Sequence, residues 1–183
     1  MSIFKAPNPK AKLNMTKPLT QKFLRGQYGQ PLEIEEVLKE RKFWKKISKK
    51  KSGFFIEAGA CNGESISNTL YFEVKFGWTG LLVEPNPDFL PNLKWKHRNA
   101  WILPHCLSTR KVVETVDFDA ALYNGGIIQE GKVLPSDLGR QTFRDERFAH
   151  ERTIKVINYA PPLLLIGTLD SKRISPRYFI PMY

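Results

Sequence analysis

Cysteine and histidine are scarce in this chain of 183 residues: it has two of the first and three of the second. Two thiols, Cys61 and Cys106, are too few for a disulfide framework. Together with a start, MSIFKAPNPKAK, that lacks the apolar core of a signal peptide, they predict reduced cysteines in a cytoplasmic setting. His97, His105 and His150 have no ligand-type spacing and Cys-x-x-Cys is missing, so no metal site is expected. No run reaches the roughly 18 apolar residues that a membrane-spanning helix needs; the longest patch runs only from Pro161 to Gly167. Internal repeats are missing too. Acidic residues are scarce at one end only. Residues 1–52 hold 14 Lys and Arg against 4 Glu, while residues 53–183 hold 15 against 14. The net charge of +11 therefore belongs to a leader and not to the body. Nucleic-acid contact would rest on that leader alone, and no recognisable RNA or DNA module accompanies it.

What is present divides the chain into three. Residues 1–31, with Pro7, Pro9, Pro18 and Pro31 among lysines, predict a basic, extended or poorly ordered leader. The sequon Asn14-Met15-Thr16 within it has meaning only in an exported chain. Residues 32–52 predict an amphipathic helix over 32–48 and then a polar break. Ile34, Val37, Leu38, Trp44 and Ile47 fall near one face, with glutamates first and lysines last. From Gly53 onward the pattern is α/β. GFFIEAG reads as a strand buried on both faces, and SISNTLYFEVKFG as a helix ended by Gly77. GLLVEPNP is a second strand, and Asn86-Pro87 offers a cap for a helix over DFLPNLKWKHR. AWILPHC is a third strand. This order implies parallel pairing with crossover helices. TVDFDAAL and IIQEGKVL predict a hairpin about Asn124-Gly125-Gly126, TIKVINY another strand, and PPLLLIGTLD a short helix.

The chemically informative stretch is Glu57-Ala58-Gly59-Ala60-Cys61-Asn62-Gly63, with Glu84 at the end of the next strand. Open α/β sheets bind ligands beyond the carboxyl ends of their strands. Glycine there lets backbone approach a ligand. Glu84 stands where an acid meets the two hydroxyls of a ribose in dinucleotide folds. The glycines are spaced G-x-x-x-G and not G-x-G-x-x-G, and Glu57 would oppose a pyrophosphate. The same carboxylate would suit the ammonium of S-adenosylmethionine.

The run GFFIEAGACNGESISNTLYFEVKFGWTGLLVEPNPDFL, continued by AWILPHCLS, resembles the FkbM-type methyltransferase domain in the form found in insect Star-like proteins. The resemblance covers residues 53–108 well and 109–170 faintly. It implies a Rossmann-like class I fold that binds S-adenosyl-L-methionine. Glu57, Gly59, Ala60, Asn62 and Gly63 would surround the methionine half, and Glu84, Pro85 and Asn86 the ribose. Cys106 and Leu107 would border the adenine. In the family an acidic D-x-E-G strand follows the last helix; here the corresponding place reads Ser175-Pro176-Arg177-Tyr178-Phe179-Ile180-Pro181. An incomplete parallel sheet over 53–183 is therefore expected, with catalysis in question. The expected activity is O-methyl transfer to a small-molecule or glycan hydroxyl. No catalytic base is assigned; Asp117 and Asp119 are plain strand carboxylates as readily as candidates. The alternative is a non-catalytic Star-like protein that acts through a protein partner in membrane-protein trafficking, with endoplasmic reticulum or Golgi association.

Overall fold

The computed structural model describes residues 11–40, 53–107, 113–120, 125–128 and 153–159. The predicted helix beyond residue 40 and the PPLLLIGTLD segment lie outside them. A 3-10 turn at Phe23–Arg25 precedes helix α1 (Gln30–Glu40). Then come β1 (Phe54–Ala58), α2 (Leu70–Phe76), β2 (Thr79–Val83), α3 (Leu90–Trp95), β3 (Ala100–Leu103), β4 (Cys106–Leu107), β5 (Glu114–Asp119), β6 (Gly126–Ile127) and β7 (Thr153–Tyr159).

The alternation of strand and helix gives the expected parallel pairing. β1, β2 and β3 form a three-stranded parallel sheet in that order, with Glu57 opposite Leu82 and Leu82 opposite Ile102. The architecture is α/β with a small parallel sheet. A second, mixed sheet has the order β4-β7-β5-β6. Its β5–β6 pair is the predicted hairpin, and β7 lies antiparallel to β5 and parallel to β4. The third strand, predicted as continuous over AWILPHC, divides at Pro104. Proline has no N–H to give to a ladder, and the chain leaves the first sheet there for the second.

The main core lies on the helix-bearing face of the first sheet. Phe55, Leu82, Ala100 and Ile102 point from the strands onto Tyr71 and Phe72 of α2 and Leu93 of α3, with Ile34 and Leu38 of α1 at the margin. Trp78 stacks on Phe72 with ring centroids 4.9 Å apart. Gly53 and Gly80 have no room for a side chain: a Cβ would collide with Trp78 at the first and with Phe55 at the second. The opposite face carries Leu81, Val83 and Leu103, flanked by half-buried Phe54, Ile56 and Trp101. The expectation of a strand buried on both faces is thus met on the helix side of β1; no helix covers the other face among the described residues.

α2 is shorter than the predicted segment. It ends as expected, on Gly77 in the left-handed region, whose N–H donates to the Glu73 carbonyl at 2.9 Å. It begins five residues late because 65–69 form a separate turn. α3 begins at Leu90 with Pro91 in its first turn, where the missing N–H costs no helix bond.

Within the segment read as a leader, residues 14–17 are tied to the domain by hydrogen bonds. Glu64, almost fully buried, accepts from the backbone N–H groups of Thr16 and Lys17 at 2.9 Å each and from the Thr16 hydroxyl at 2.7 Å. It also pairs with the buried ammonium of Lys96. The Asn14 N–H reaches the Lys96 carbonyl at 3.0 Å. Glu35 does the same for α1: it accepts from the Tyr71 hydroxyl and pairs with Lys75 at 2.8 Å and Lys39 at 2.7 Å. Burial alone would raise both carboxyl groups. The bonded lysines and hydroxyls outweigh it and hold each at about 2, against an ordinary 4.5.

A third buried pair joins Glu73 to Arg98, whose guanidinium ties α2 to the chain after α3. Because the folded pKa values of Glu35 and Glu64 are depressed, their stabilisation is complete above about 4.5 and is lost as pH falls toward about 2. Urea midpoints measured across that window should fall steeply for the parent chain and less steeply for Glu64→Gln. Arg98→Met should leave the Glu73 carboxylate, bonded at 2.5 Å to the Arg98 guanidinium, buried without its cation. A loss of about 3–5 kcal/mol is expected from the same titration at pH 7, and an unchanged midpoint would contradict the role given to Arg98.

Candidate functional site

β1 and β2 end side by side, and the chain turns over their tips. The Gly59 and Ala60 N–H groups both donate to the Val83 carbonyl, at 2.9 and 3.1 Å, and the Gly63 N–H returns to the Ala60 carbonyl at 2.8 Å. Gly59, Cys61 and Gly63 all have positive φ. A run of left-handed residues at a strand tip is the reason for two glycines four apart. The two glycines differ in what surrounds them. Gly59 is exposed, and nothing lies within 4 Å of the place a Cβ would take. Gly63 is buried, and a Cβ there would stand 2.5 Å from Leu93. Gly59 borders open space; Gly63 is a close-packing residue.

Glu84 lies under this turn. One carboxylate oxygen accepts the Cys61 N–H at 2.7 Å and the other the Asn86 N–H at 2.8 Å. Its own N–H donates to the Leu103 carbonyl at 3.0 Å, which ties the tip of β2 to β3. Burial raises its pKa, and the two backbone donors oppose that rise. Each oxygen keeps further acceptor capacity.

Glu57 faces the helix side. One of its oxygens accepts from the Ser67 and Thr69 hydroxyls, at 2.8 and 2.6 Å, and the other from the Asn68 N–H at 2.9 Å. Ser67, Asn68 and Thr69 are thus not helix surface; they bind the tip of β1 to the start of α2. Behind them is Arg98, whose side chain is fully buried. It donates to Glu73 at 2.5 Å, to the Gly63 carbonyl at 2.6 Å, to Ser67 at 3.2 Å and to Thr69 at 3.0 Å. Glu73 also accepts the Asn99 N–H at 2.8 Å.

Several residues expected around a cofactor make local structural contacts. Ala60 is part of the main core. Asn62 closes an Asx-type turn: its carbonyl accepts the Glu64 and Ser65 N–H groups at 3.0 and 2.9 Å, and its amide donates to the Ser65 hydroxyl. Asn86 accepts the Asp88 N–H at 3.0 Å and donates to the Ala120 carbonyl at 3.0 Å, which joins the first sheet to the end of β5. It therefore stabilises the turn before α3 without being that helix's cap. Cys106 packs with Phe118, Ala120 and Val156, and Leu107 lies half-buried against the Leu81 cluster. Asp117 pairs with Lys155 at 2.8 Å on the second sheet, and Asp119 is buried.

The field at the strand tips is negative. Burial first, then the charges of Glu84 and Glu57, push the Cys61 thiol up to about 12. Cys106 is likewise pushed up to about 12 by burial and then by Glu84. Both cysteines are free, and neither forms a thiolate at pH 7. The charges of both carboxylates thus act on Cys61, and that of Glu84 also on Cys106. Burial lowers the pKa of His105. Among the described residues no three His, Cys, Asp or Glu side chains are grouped to hold a metal, and no helix is long and apolar enough to cross a membrane.

No protein-family model, no curated protein and no solved structure matches this chain.

The contrast between the two glycines is open to measurement. Alanine at either site bears the strain of a left-handed backbone, but only Gly63→Ala must also displace Leu93. We expect Gly63→Ala to cost about 1–3 kcal/mol more than Gly59→Ala in chemical denaturation. Equal costs would mean that Gly59 is as confined as Gly63.

Proposed function

We propose that the tips of β1 and β2 bind S-adenosyl-L-methionine and that the chain is a methyltransferase-type domain of the FkbM kind, acting on a hydroxyl acceptor. The observation that carries this reading is the exposed, uncrowded Gly59 between two carboxylates at the ends of adjacent parallel strands. Ligands of open α/β sheets lie at this edge. A negative field at the tip suits a molecule with a sulfonium and an ammonium, and it opposes a pyrophosphate. In this reading the buried Glu84, held by the Cys61 and Asn86 N–H groups, offers its remaining lone pairs to a pair of ribose hydroxyls. Gly59 gives the close backbone approach. Glu57 contributes charge through the turn while its oxygens hold Ser67, Asn68 and Thr69. That differs from a direct bond to the ammonium.

S-adenosylmethionine, when bound, supplies a methyl group on a positively charged sulfur. The protein then has to hold donor and acceptor in line. The protonated thiols of Cys61 and Cys106 do not compete as nucleophiles. Asp117 is ion-paired on the second sheet and Asp119 is buried, so neither is assigned as the base. That same observation favours a second reading, in which the chain keeps the fold and the ligand site but acts through a protein partner, as in the Star-like proteins.

Calorimetric titration of S-adenosylmethionine into the folded chain should release heat. Glu84→Ala should weaken binding by about tenfold or more, the scale of one lost charge-assisted bond. Gly59→Asn, which fills the open space with a side chain that tolerates the left-handed backbone, should abolish binding without unfolding the chain. An absence of heat from a chain shown to be folded removes the proposal. Binding without methyl transfer to any hydroxyl acceptor offered selects the partner reading.

A further inference from the structure

We propose that the cavity between the N-terminal segment and the Ser65–Ile66 turn is a separate binding site, for a small ligand that joins an anionic group to an apolar body. The cavity measures about 460 Å³, within the range of small-molecule sites. Lys17 and Lys22 line it and no carboxylate does; Pro18, Phe23 and Ile66 supply its apolar wall. Among the described residues neither ammonium has a carboxylate partner. Two unpaired cations beside an apolar wall fit an anion with a hydrocarbon or aromatic body.

The second observation is independent of charge. Ile66 has φ 54 and is 59% exposed. A β-branched residue is a marked outlier in the left-handed region, and such strain persists only where the surroundings impose it. Here they do. Ser65 is held by Asn62 on one side, and Ser67 by Glu57 and Arg98 on the other. The facing wall is fixed as well. The Lys17 N–H donates to Glu64 at 2.9 Å, the Phe23 N–H to the Thr20 hydroxyl at 3.2 Å and the Gln27 N–H to Asn68 at 2.8 Å. An apolar side chain is thus held in strain at the wall of a cavity whose backbone is already in place, so little ordering remains to oppose binding.

The site does not depend on the cofactor reading. It is tested by titrating four probes into the full chain: phenyl phosphate, benzoate, inorganic phosphate and benzyl alcohol. At least one of the two aromatic anions should bind about tenfold or more tighter than either inorganic phosphate or benzyl alcohol, and its affinity should fall as salt rises. The tighter of the two identifies the head group as phosphate or carboxylate. Lys17→Gln/Lys22→Gln alters two surface side chains and keeps the Lys17 N–H bond to Glu64. It should weaken that binding by about tenfold with an unchanged melting temperature. Ile66→Gly should weaken the aromatic anion and raise the melting temperature. Failure of both aromatic anions to bind overturns the proposal. So does undiminished binding by the double variant, or inorganic phosphate binding as tightly as phenyl phosphate.

Discussion

The buried guanidinium of Arg98 is the point on which the strand-tip region depends. It follows α3, yet its donors reach Glu73 in the middle of α2, the carbonyl of Gly63 and the hydroxyls of Ser67 and Thr69. Those hydroxyls pass the connection to Glu57 at the end of β1. One planar cation therefore sets the distance between a strand tip, a glycine turn and two helices. The fork of an arginine can do this with fixed angles; a lysine would supply the charge without the geometry. With the turn fixed in this way, the position of Gly59 above β2 is set by the fold before any ligand arrives.

Much of the framework could be read from residue order. Short apolar runs alternating with amphipathic segments were sufficient for β1, β2 and β3 and for their parallel pairing. Gly77 announced the end of α2, and Asn124-Gly125-Gly126 the hairpin. What could not be read was the use of the charged residues. A glutamate at 35, 64 or 73 looks like any helix or loop acid until its partners at 75, 96 and 98 are brought to it by the fold. Glu73 gave a faint signal, as a lone acid inside LYFEVKF. Glu64 gave none, since three of its four donor groups come from the segment whose prolines and lysines suggested disorder.

The candidate site shows the same division. Backbone features were legible: two glycines at a strand end require a turn, and an acid at the end of the next strand will lie beneath it. Side-chain roles were not. Asn62, Asn86 and Ala60 occur at positions that point to a ligand by motif, and their Asx turns and core packing could not be read there. Glu57 is the instructive case. Its charge is where the sequence places it, while its hydrogen bonds go to residues 67–69. Motif position fixes where a carboxylate is, and the local supply of donors decides what it holds.

The attachment of residues 14–17 to Glu64 and Lys96 reverses the order in which the chain is made and the order in which it can close. Thr16 leaves the ribosome 48 residues ahead of the carboxylate that receives it, and Lys96 comes later still. Residues 14–17 are thus made before the groups that receive them. Until they meet, a buried ion pair lacks half its shell and stays open to water. A nascent chain halted before Lys96 would leave residues 14–17 and Glu64 without the carbonyl and ammonium that complete their seat.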